Sequence, residues 1–274
     1  VGGGHAWGVP TDFLGLGGHS LVAVRIASRA RAVSGVEVPL RRVFEASTVA
    51  ELAGWIEPAG REEGASLLPP VVPAPRTGPA PASWGQRGLW LFERLHPGTG
   101  VYSLPRALRL HGPLDPAALA RALTEVARRH EALRTVFAEA DGEPWQLVLP
   151  AVPVPLPLVE LGALGVASRE AAAGEWARRL AGLPFDLERG PLFRAALLRL
   201  GAEEHVLVLA MHHAVSDGWS VGVLYRELEA LYTAFAQGRP SPLPEPPVQY
   251  ADYARWQRSA ALAARLGAEV AWWA

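Results

Sequence analysis

The stretch His212-His213-Ala214-Val215-Ser216-Asp217-Gly218 decides how this chain is interpreted. It follows an unbroken apolar run over residues 206–211, which predicts a buried strand. Ser216-Asp217-Gly218 predicts a turn directly after that strand. Imidazole is the side chain best suited to move protons near neutral pH. We therefore expect a strand end that brings two histidines and an aspartate to one cleft. The alternative is that the histidines are packing residues and the aspartate only forms a turn.

Composition limits the class of protein. The chain has 274 residues, of which 50% are hydrophobic and 19% charged, and its formal net charge is −1. These values predict a large core and give no bulk attraction to nucleic acid or to an anionic membrane. No cysteine is present, which excludes disulfides, thiolate nucleophiles and cysteine-bound metals. We find no apolar run of transmembrane length and no signal peptide, and Met211 is the only methionine. We therefore expect a fragment of a longer cytoplasmic protein.

Three zones follow one another along the chain. Residues 1–57 predict a small, mostly helical unit, and residues 58–81 predict a linker because they are rich in proline and glycine. Residues 82–274 alternate helix and strand patterns, which indicates an α/β or α+β class. The predicted helices there are 116–129, 168–180 with Ser168 as N-cap, 222–235 and 252–273. The predicted strands are 108–110, 193–200 and 205–211, with a hairpin from 135–137 and 146–149.

A serine follows paired glycines in the first zone. Leu16-Gly17-Gly18-His19-Ser20 precedes a helical pattern over 22–33, which predicts Ser20 at a helix N-terminus. A serine there is ordinarily an N-cap with no chemistry. The segment nevertheless resembles the Leu-Gly-Gly-His-Ser motif of peptidyl carrier proteins, and residues 36–40 and 43–53 also resemble that family. The resemblance implies a covalent 4′-phosphopantetheine on Ser20, whose phosphate a helix N-terminus would favour.

The carrier resemblance covers only the latter part of a carrier. The usual first helix has no counterpart before residues 1–4, so the expected unit is a partial helical bundle. Thr48 and Glu51 have the spacing of a capping box, which predicts the start of its last helix.

The third zone resembles the condensation domains of nonribosomal peptide synthetases. Residues 211–231 match the central motif of that family, 129–137 its second motif, and 247–253 the stretch leading into its second half. Residues 83–90 resemble the opening motif but carry Gly85 and Gly88 where the family usually has alanine and arginine. The family fold is like chloramphenicol acetyltransferase, with two lobes and a tunnel between them. The resemblance implies that this chain holds the first lobe and lacks most of the second, so we expect it to be inactive alone.

The resemblance also implies a reaction and residue roles. The implied reaction is the attack of a carrier-bound α-amine on a carrier-bound thioester, which forms an amide. The sequence of residues 213–224 resembles the subclass that condenses L-configured donors. His213 matches the active-site position and would accept the amine proton or orient the amine. Asp217 and Arg134 would form a structural ion pair beneath the site, His212 would pack, and Gly218 would leave room beside the histidine. We expect no metal site.

The implied partners are donor and acceptor carrier domains, adenylation domains and a phosphopantetheinyl transferase. Two other functions remain open. An epimerization domain shares the two histidines and removes a proton from the α-carbon of a carrier-bound residue. A non-catalytic domain of the same fold recruits a partner protein but commonly lacks the histidine pattern. Residues 247–253 and 219–222 favour condensation.

Overall fold

The computed structural model describes residues 12, 15, 20–36, 38–59 and 69–264. The chain divides into two compact units, residues 1–69 and 70–274, and each is described by itself.

The described residues of the first unit form three helices: α1 Ser20–Ser34, α2 Leu40–Glu45 and α3 Val49–Ala59. A small core of Ala23, Val38, Val43 and Leu52 holds them together. The predicted capping box is confirmed, because the Thr48 N–H donates to Glu51 Oε2 at 3.1 Å and the Glu51 N–H donates to Thr48 Oγ1 at 3.2 Å. The helical class predicted for this zone is therefore confirmed.

The second unit mixes helices and sheets, as the alternating pattern predicted. Its helices are α4 Trp84–Leu95, α5 Pro116–Arg129, α6 Val166–Gly182, α7 Gly218–Ala236 and α8 Tyr250–Gln257, with a 3₁₀ turn at Glu131–Arg134. Its strands are β1 Ala80–Pro81, β2 Ser103–His111, β3 Thr135–Ala140, β4 Glu143–Val148, β5 Leu158–Glu160, β6 Phe193–Gly201 and β7 Glu204–His212. One sheet has the order β2-β7-β6-β5, in which only the β5–β6 pair is parallel. The other is antiparallel, in the order β1-β4-β3.

Helices cover both faces of the central strand β7. Leu207, Leu209 and Met211 share one cluster with residues of α5 and α7. Val206 and Val208 share another cluster with Ala173 of α6. Because both faces are buried, the strand needs no polar side chain over 206–211, which explains its unbroken apolar sequence.

Several helices begin or end at residues other than the predicted ones. The hairpin and the helix over 116–129 are confirmed. The cap predicted at Ser168 is wrong, because α6 already begins at Val166 with Gly165 as N-cap. Helix α7 begins four residues before the predicted start, since Asp217 caps it. Helix α8 ends at Gln257, residues 260–264 are helical again, and residues 265–273 of the predicted helix lie outside the described residues.

The latter part of the predicted linker binds the second unit. Pro81 pairs with Trp145 in the β1–β4 ladder. The Ala74 N–H donates to Asp252 Oδ1 at 3.0 Å, and the Arg76 guanidinium donates to both oxygens of the same carboxylate. Residues 74–81 are therefore held in place by contacts distant in sequence.

We expect the Asp252 carboxylate to make this attachment sensitive to acid. Burial raises the pKa of Asp252, but hydrogen bonds from Arg76 and from the Gln249 and Ala74 N–H groups outweigh it and lower the pKa to about 2. A depressed pKa stabilises the fold above the unfolded value of about 3.9, and this stability is lost as the pH falls towards 2. Asp252→Asn should therefore lower the free energy of unfolding by about 1–2 kcal/mol at pH 7.

Urea titrations of both proteins at pH 7 and pH 2 measure this effect. The difference between parent and Asp252→Asn should shrink at pH 2, where the parent carboxyl is about half protonated in the folded chain and almost fully protonated in the unfolded chain. A difference of the same size at both pH values would contradict the assignment.

Candidate active site

The end of β7 sends its two histidines to opposite faces of the sheet. The His213 N–H donates to the Tyr102 carbonyl at 2.8 Å, which extends the pairing with β2 by one residue. His212 is 2% exposed, and its ring lies edge-on to Phe185 at 5.9 Å between centroids. His213 instead lines a cavity together with Leu224 of α7. Only the second histidine of the pair is therefore placed to meet a substrate.

The contacts of His213 define its tautomer. Its Nδ1 lies 2.9 Å from the Ser216 carbonyl oxygen. A carbonyl can only accept, so Nδ1 carries the proton and Nε2 of the neutral ring carries a lone pair. The side chain is exposed in the cavity. His213 can therefore accept a proton or a hydrogen bond through Nε2.

His212 has the contacts of a structural residue. Its Nδ1 accepts the Ala214 N–H at 3.0 Å, and its Nε2 lies 3.4 Å from Glu93 Oε1. Burial lowers the pKa of His212, and this effect outweighs the opposing effect of Glu93; the nearby His213 lowers the pKa further. The ring is therefore neutral near pH 7 and fixes the peptide that follows His213.

Arg134 and Asp217 have different partners from those predicted. Asp217 Oδ1 accepts from the N–H and the hydroxyl of Ser220, both at 2.7 Å, and so caps α7. Arg134 donates to the Leu149 carbonyl at 2.6 Å and lies 3.7 Å from Glu131. Within the described ranges no ion pair joins Arg134 to Asp217, so that prediction is wrong. The reason is local, because Asp217 immediately precedes a helix whose first N–H groups need an acceptor.

A capping role predicts a modest stability effect for Asp217. Asp217→Ala should lower the free energy of unfolding by about 1 kcal/mol, the usual cost of an N-cap, because the exposed carboxylate leaves no buried charge behind. Asp115 is a matched control, since its Oδ1 caps α5 through the Ala117 and Ala118 N–H groups at 2.9 and 3.1 Å. Urea denaturation should give similar losses for Asp217→Ala and Asp115→Ala. If Asp217→Ala alone lowered the free energy of unfolding by more than about 3 kcal/mol, Asp217 would belong to a buried ion pair and not to a cap.

The cavity beside His213 has a volume of about 380 Å³. Its walls come from α4, α5, α7 and the start of α8, and they are mainly apolar: Leu89, Val126, Leu133, Met211, Val223, Leu224 and Val248. Polar groups enter it at a few points: Gln86, His130, His213, Ser216, Asp217, Ser220 and Tyr250. An apolar cavity with a few convergent polar groups is the form of a small-molecule site.

Gly218 begins α7 next to this cavity. A Cβ added there would meet no described heavy atom within 4 Å. The described chain thus leaves open space beside Gly218, and the room for substrate predicted there stays a prediction.

Sequence reasoning missed two polar groups of the cavity. His130 Nε2 lies 2.9 Å from Glu227 Oε2, and Arg129 donates to the same carboxylate. Burial raises the pKa of Glu227, but these hydrogen bonds outweigh it and leave the pKa below its usual range. The Tyr250 hydroxyl lies 3.0 Å from Ser83 Oγ. Both groups stand in motif segments, yet nothing in their spacing indicates that they meet the His213 loop.

Ser20 is the first residue of the 15-residue helix α1, and its side chain is exposed. Residues 16–19 of its motif lie outside the described residues. An exposed hydroxyl at a helix N-terminus fits a phosphodiester, because the free N–H groups there favour negative charge. In the second unit, helices and the end of β7 surround a cavity lined by the exposed His213.

Comparison with known proteins identifies the family of each unit. Residues 77–274 match the family described as Condensation domain, and residues 7–56 match the family described as Phosphopantetheine attachment site. The chain belongs to the condensation-domain family of nonribosomal peptide synthetases, and its attachment region carries 4′-phosphopantetheine as a covalent cofactor. The carrier and chloramphenicol acetyltransferase-like classes predicted from the sequence are thereby confirmed.

Named relatives are peptide synthetases and their domains. The chain is 39% identical over 247 residues to malpinin synthetase of Mortierella alpina, matching 90% of this chain but 3% of that protein. It is 35% identical, with a TM-score of 0.62, to the X-domain from teicoplanin biosynthesis, covering 69% of this chain and 40% of that one. It is 31% identical, with a TM-score of 0.56, to the first condensation domain of the calcium-dependent antibiotic synthetase, covering 61% and 40%. The chain thus spans a small part of its curated relatives and less than half of these solved chains.

Among the described residues, no cluster of three or more His, Cys, Asp or Glu side chains could hold a metal ion. None of the helices in the described ranges is both long and apolar enough to span a lipid bilayer.

Proposed function

We propose that the second unit forms amide bonds in nonribosomal peptide synthesis, with His213 as its catalytic residue. The observation that supports this most directly is the fixed tautomer of His213, whose Nδ1–H is held by the Ser216 carbonyl while the ring lines an apolar cavity. That arrangement offers Nε2 to an amine nucleophile.

The chemistry needs a deprotonated amine close to an acyl donor. A free α-amine has a pKa of about 8, so much of it is protonated at neutral pH. Its nitrogen attacks the thioester carbonyl, the new C–N bond forms, and the C–S bond breaks to release the thiol. His213 Nε2 accepts the amine proton or holds the amine by a hydrogen bond, and the proton ends on the leaving thiol. General-base help contributes about 10²–10⁴-fold, whereas positioning supplies about 7–11 kcal/mol.

The substrates are a donor aminoacyl or peptidyl thioester, L-configured as residues 213–224 suggest, and an acceptor aminoacyl thioester. Donor and acceptor carrier domains would present them, adenylation domains would activate the amino acids, and a phosphopantetheinyl transferase would modify Ser20. Such an assembly line would be cytoplasmic. The attached phosphopantetheine supplies a thiol that carries the acyl group, while Ser20 only anchors it.

The proposed division assigns residues 1–57 to the carrier, 58–81 to the linker and 82–274 to the condensation lobe. Residues 74–81 of this linker lie against the lobe through Asp252 and β4. His213 is exposed in the lobe described here, which leaves the reacting atoms open to water. Turnover therefore requires a further wall over His213, supplied by a second lobe.

Condensation is favoured over the two other candidates. The family match covers residues 77–274, including the stretch 247–253 that favours condensation over epimerization. A partner-recruiting domain needs no histidine with a defined tautomer beside a cavity, whereas this chain holds one.

Amide formation is tested with a protein that joins these residues to a complete second lobe. Donor and acceptor carriers are loaded with amino acids and incubated with that protein, and the carrier-bound products are weighed by mass spectrometry. A dipeptide on the acceptor carrier is the expected result. Unchanged carriers in the presence of a folded protein would overturn the proposal.

A further inference from the structure

The two peptide groups that flank Ala214, the residue after His213, are each held by a buried side chain. The Ala214 N–H donates to His212 Nδ1 at 3.0 Å, and the Ala214 carbonyl accepts from Gln86 Nε2 at 3.0 Å. The same loop contains the Ser216 carbonyl that fixes the His213 ring. The backbone around His213 is thus fixed by one side chain from β7 and one from α4.

The Gln86 amide is buried and fully hydrogen-bonded. Gln86 is 2% exposed; its Oε1 accepts the Ser83 N–H at 3.0 Å, and its Nε2 also donates to Gln146 Oε1 at 3.2 Å. Gln146 Nε2 in turn donates to the Pro81 carbonyl at 2.8 Å. Because an N–H can only donate and a carbonyl can only accept, these partners fix the orientation of both amides. The network runs from β1 through β4 and α4 to the loop of His213.

We propose that Gln86 is a positioning residue for the reaction, acting through the Ala214 carbonyl to hold the loop that orients His213. The effect on rate rests on the proposed amide-forming function, whereas the effect on the ring of His213 does not. Gln86 stands in the opening motif 83–90, whose apolar residues Leu89 and Trp90 are explained by packing. A buried polar group among them is costly unless it is satisfied, and here it is satisfied by the loop it supports.

A pair of matched variants separates positioning from general stability. Gln86→Met removes the donor to Ala214. Thr135→Val is the control, because it removes a hydroxyl of a residue that is 2% exposed and that donates to the Glu131 carbonyl at 2.8 Å, outside this network. Both variants should lower the melting temperature, because each leaves buried polar partners unpaired. Only Gln86→Met should shift the ring ¹⁵N resonances of His213, measured in the full chain with labelled histidine and assigned by comparison with His213→Asn.

The kinetic readout uses the two-lobe protein. Gln86→Met should lower kcat by about tenfold or more and change KM for the acceptor by less than about threefold, because a small displacement of an aligned group affects the chemical step more than binding. Thr135→Val should keep kcat within about threefold of the parent. Equal losses of kcat in the two variants, or unmoved His213 resonances in Gln86→Met, would overturn the proposal.

If the parent two-lobe protein forms no amide, the proposed function is overturned. The ring ¹⁵N resonances of His213 still decide whether Gln86 positions His213. If Gln86→Met does not fold, the parent chain supplies the test through the scalar coupling across the hydrogen bond from Gln86 Nε2 to the Ala214 carbonyl. The coupling should be observed, and its absence would overturn the positioning role.

Discussion

Replacing His213 by alanine should slow amide formation by about 10²-fold or more and leave the thermal melt unchanged. The rate falls because Nε2 is the acceptor that the structure offers to the amine, and among the described residues only the His213 imidazole bonds to the Ser216 carbonyl. The melt is preserved because the side chain is exposed, so its removal leaves no buried cavity. The two-carrier assay and a thermal scan measure the two effects on the same preparation.

His212→Ala is the matched control for that experiment. It would leave the Ala214 N–H without its acceptor and remove a ring that is 2% exposed. We expect it to act mainly through stability, with a loss of about 1–3 kcal/mol from the unsatisfied group alone. Full activity of His213→Ala with an unchanged melt would remove His213 from the mechanism and leave positioning as the source of the rate.

Ser20→Ala should abolish modification by coenzyme A and a phosphopantetheinyl transferase. Ser20 is an exposed hydroxyl at the first residue of α1, where a transferred phosphate would meet free N–H groups. Intact-mass measurement should show one added phosphopantetheine on the parent chain and none on the variant. We expect modification to be lost completely because a single hydroxyl accepts the phosphopantetheine. The mass measurement does not require amide formation.

Ser34 provides the control at the opposite end of the same helix. Its hydroxyl donates to the Ala30 carbonyl at 2.7 Å, so Ser34→Ala changes a serine of α1 without touching the helix N-terminus. Ser34→Ala should be modified like the parent. Modification that persists in Ser20→Ala would show that another hydroxyl is the attachment site.

Patterns within a short segment predicted much of the fold. The apolar run 206–211, the hairpin around Asp141-Gly142 and the helix beginning at Pro116 were all identified from the sequence. Each depends on residues close together in the chain, namely a periodicity, a turn pair or a cap. Errors arose at helix boundaries: the Asp217 side chain caps α7 at an earlier start, α6 begins after Gly165 without a side-chain cap, and α8 ends at Gln257.

Contacts between distant segments could not be predicted in the same way. The proline-rich composition of 58–81 indicates an extended chain, but it does not indicate that Arg76 binds Asp252, 176 residues further along. The Arg134–Asp217 pair, which the family resemblance implies, is also not found, because Arg134 donates to the Leu149 carbonyl, a backbone acceptor that no residue type indicates. Gln86 was overlooked because its partner is the Ala214 backbone, which no residue type in the sequence reveals.

One assay in heavy water tests the central claim most directly. Loaded donor and acceptor carriers are incubated in D₂O with the two-lobe protein, and the mass of every carrier-bound product is recorded. We predict a dipeptide on the acceptor carrier with no deuterium at the α-carbons, because His213 accepts a proton from the amine and not from a C–H bond. Deuterium at an α-carbon without dipeptide would contradict it and identify an epimerase instead.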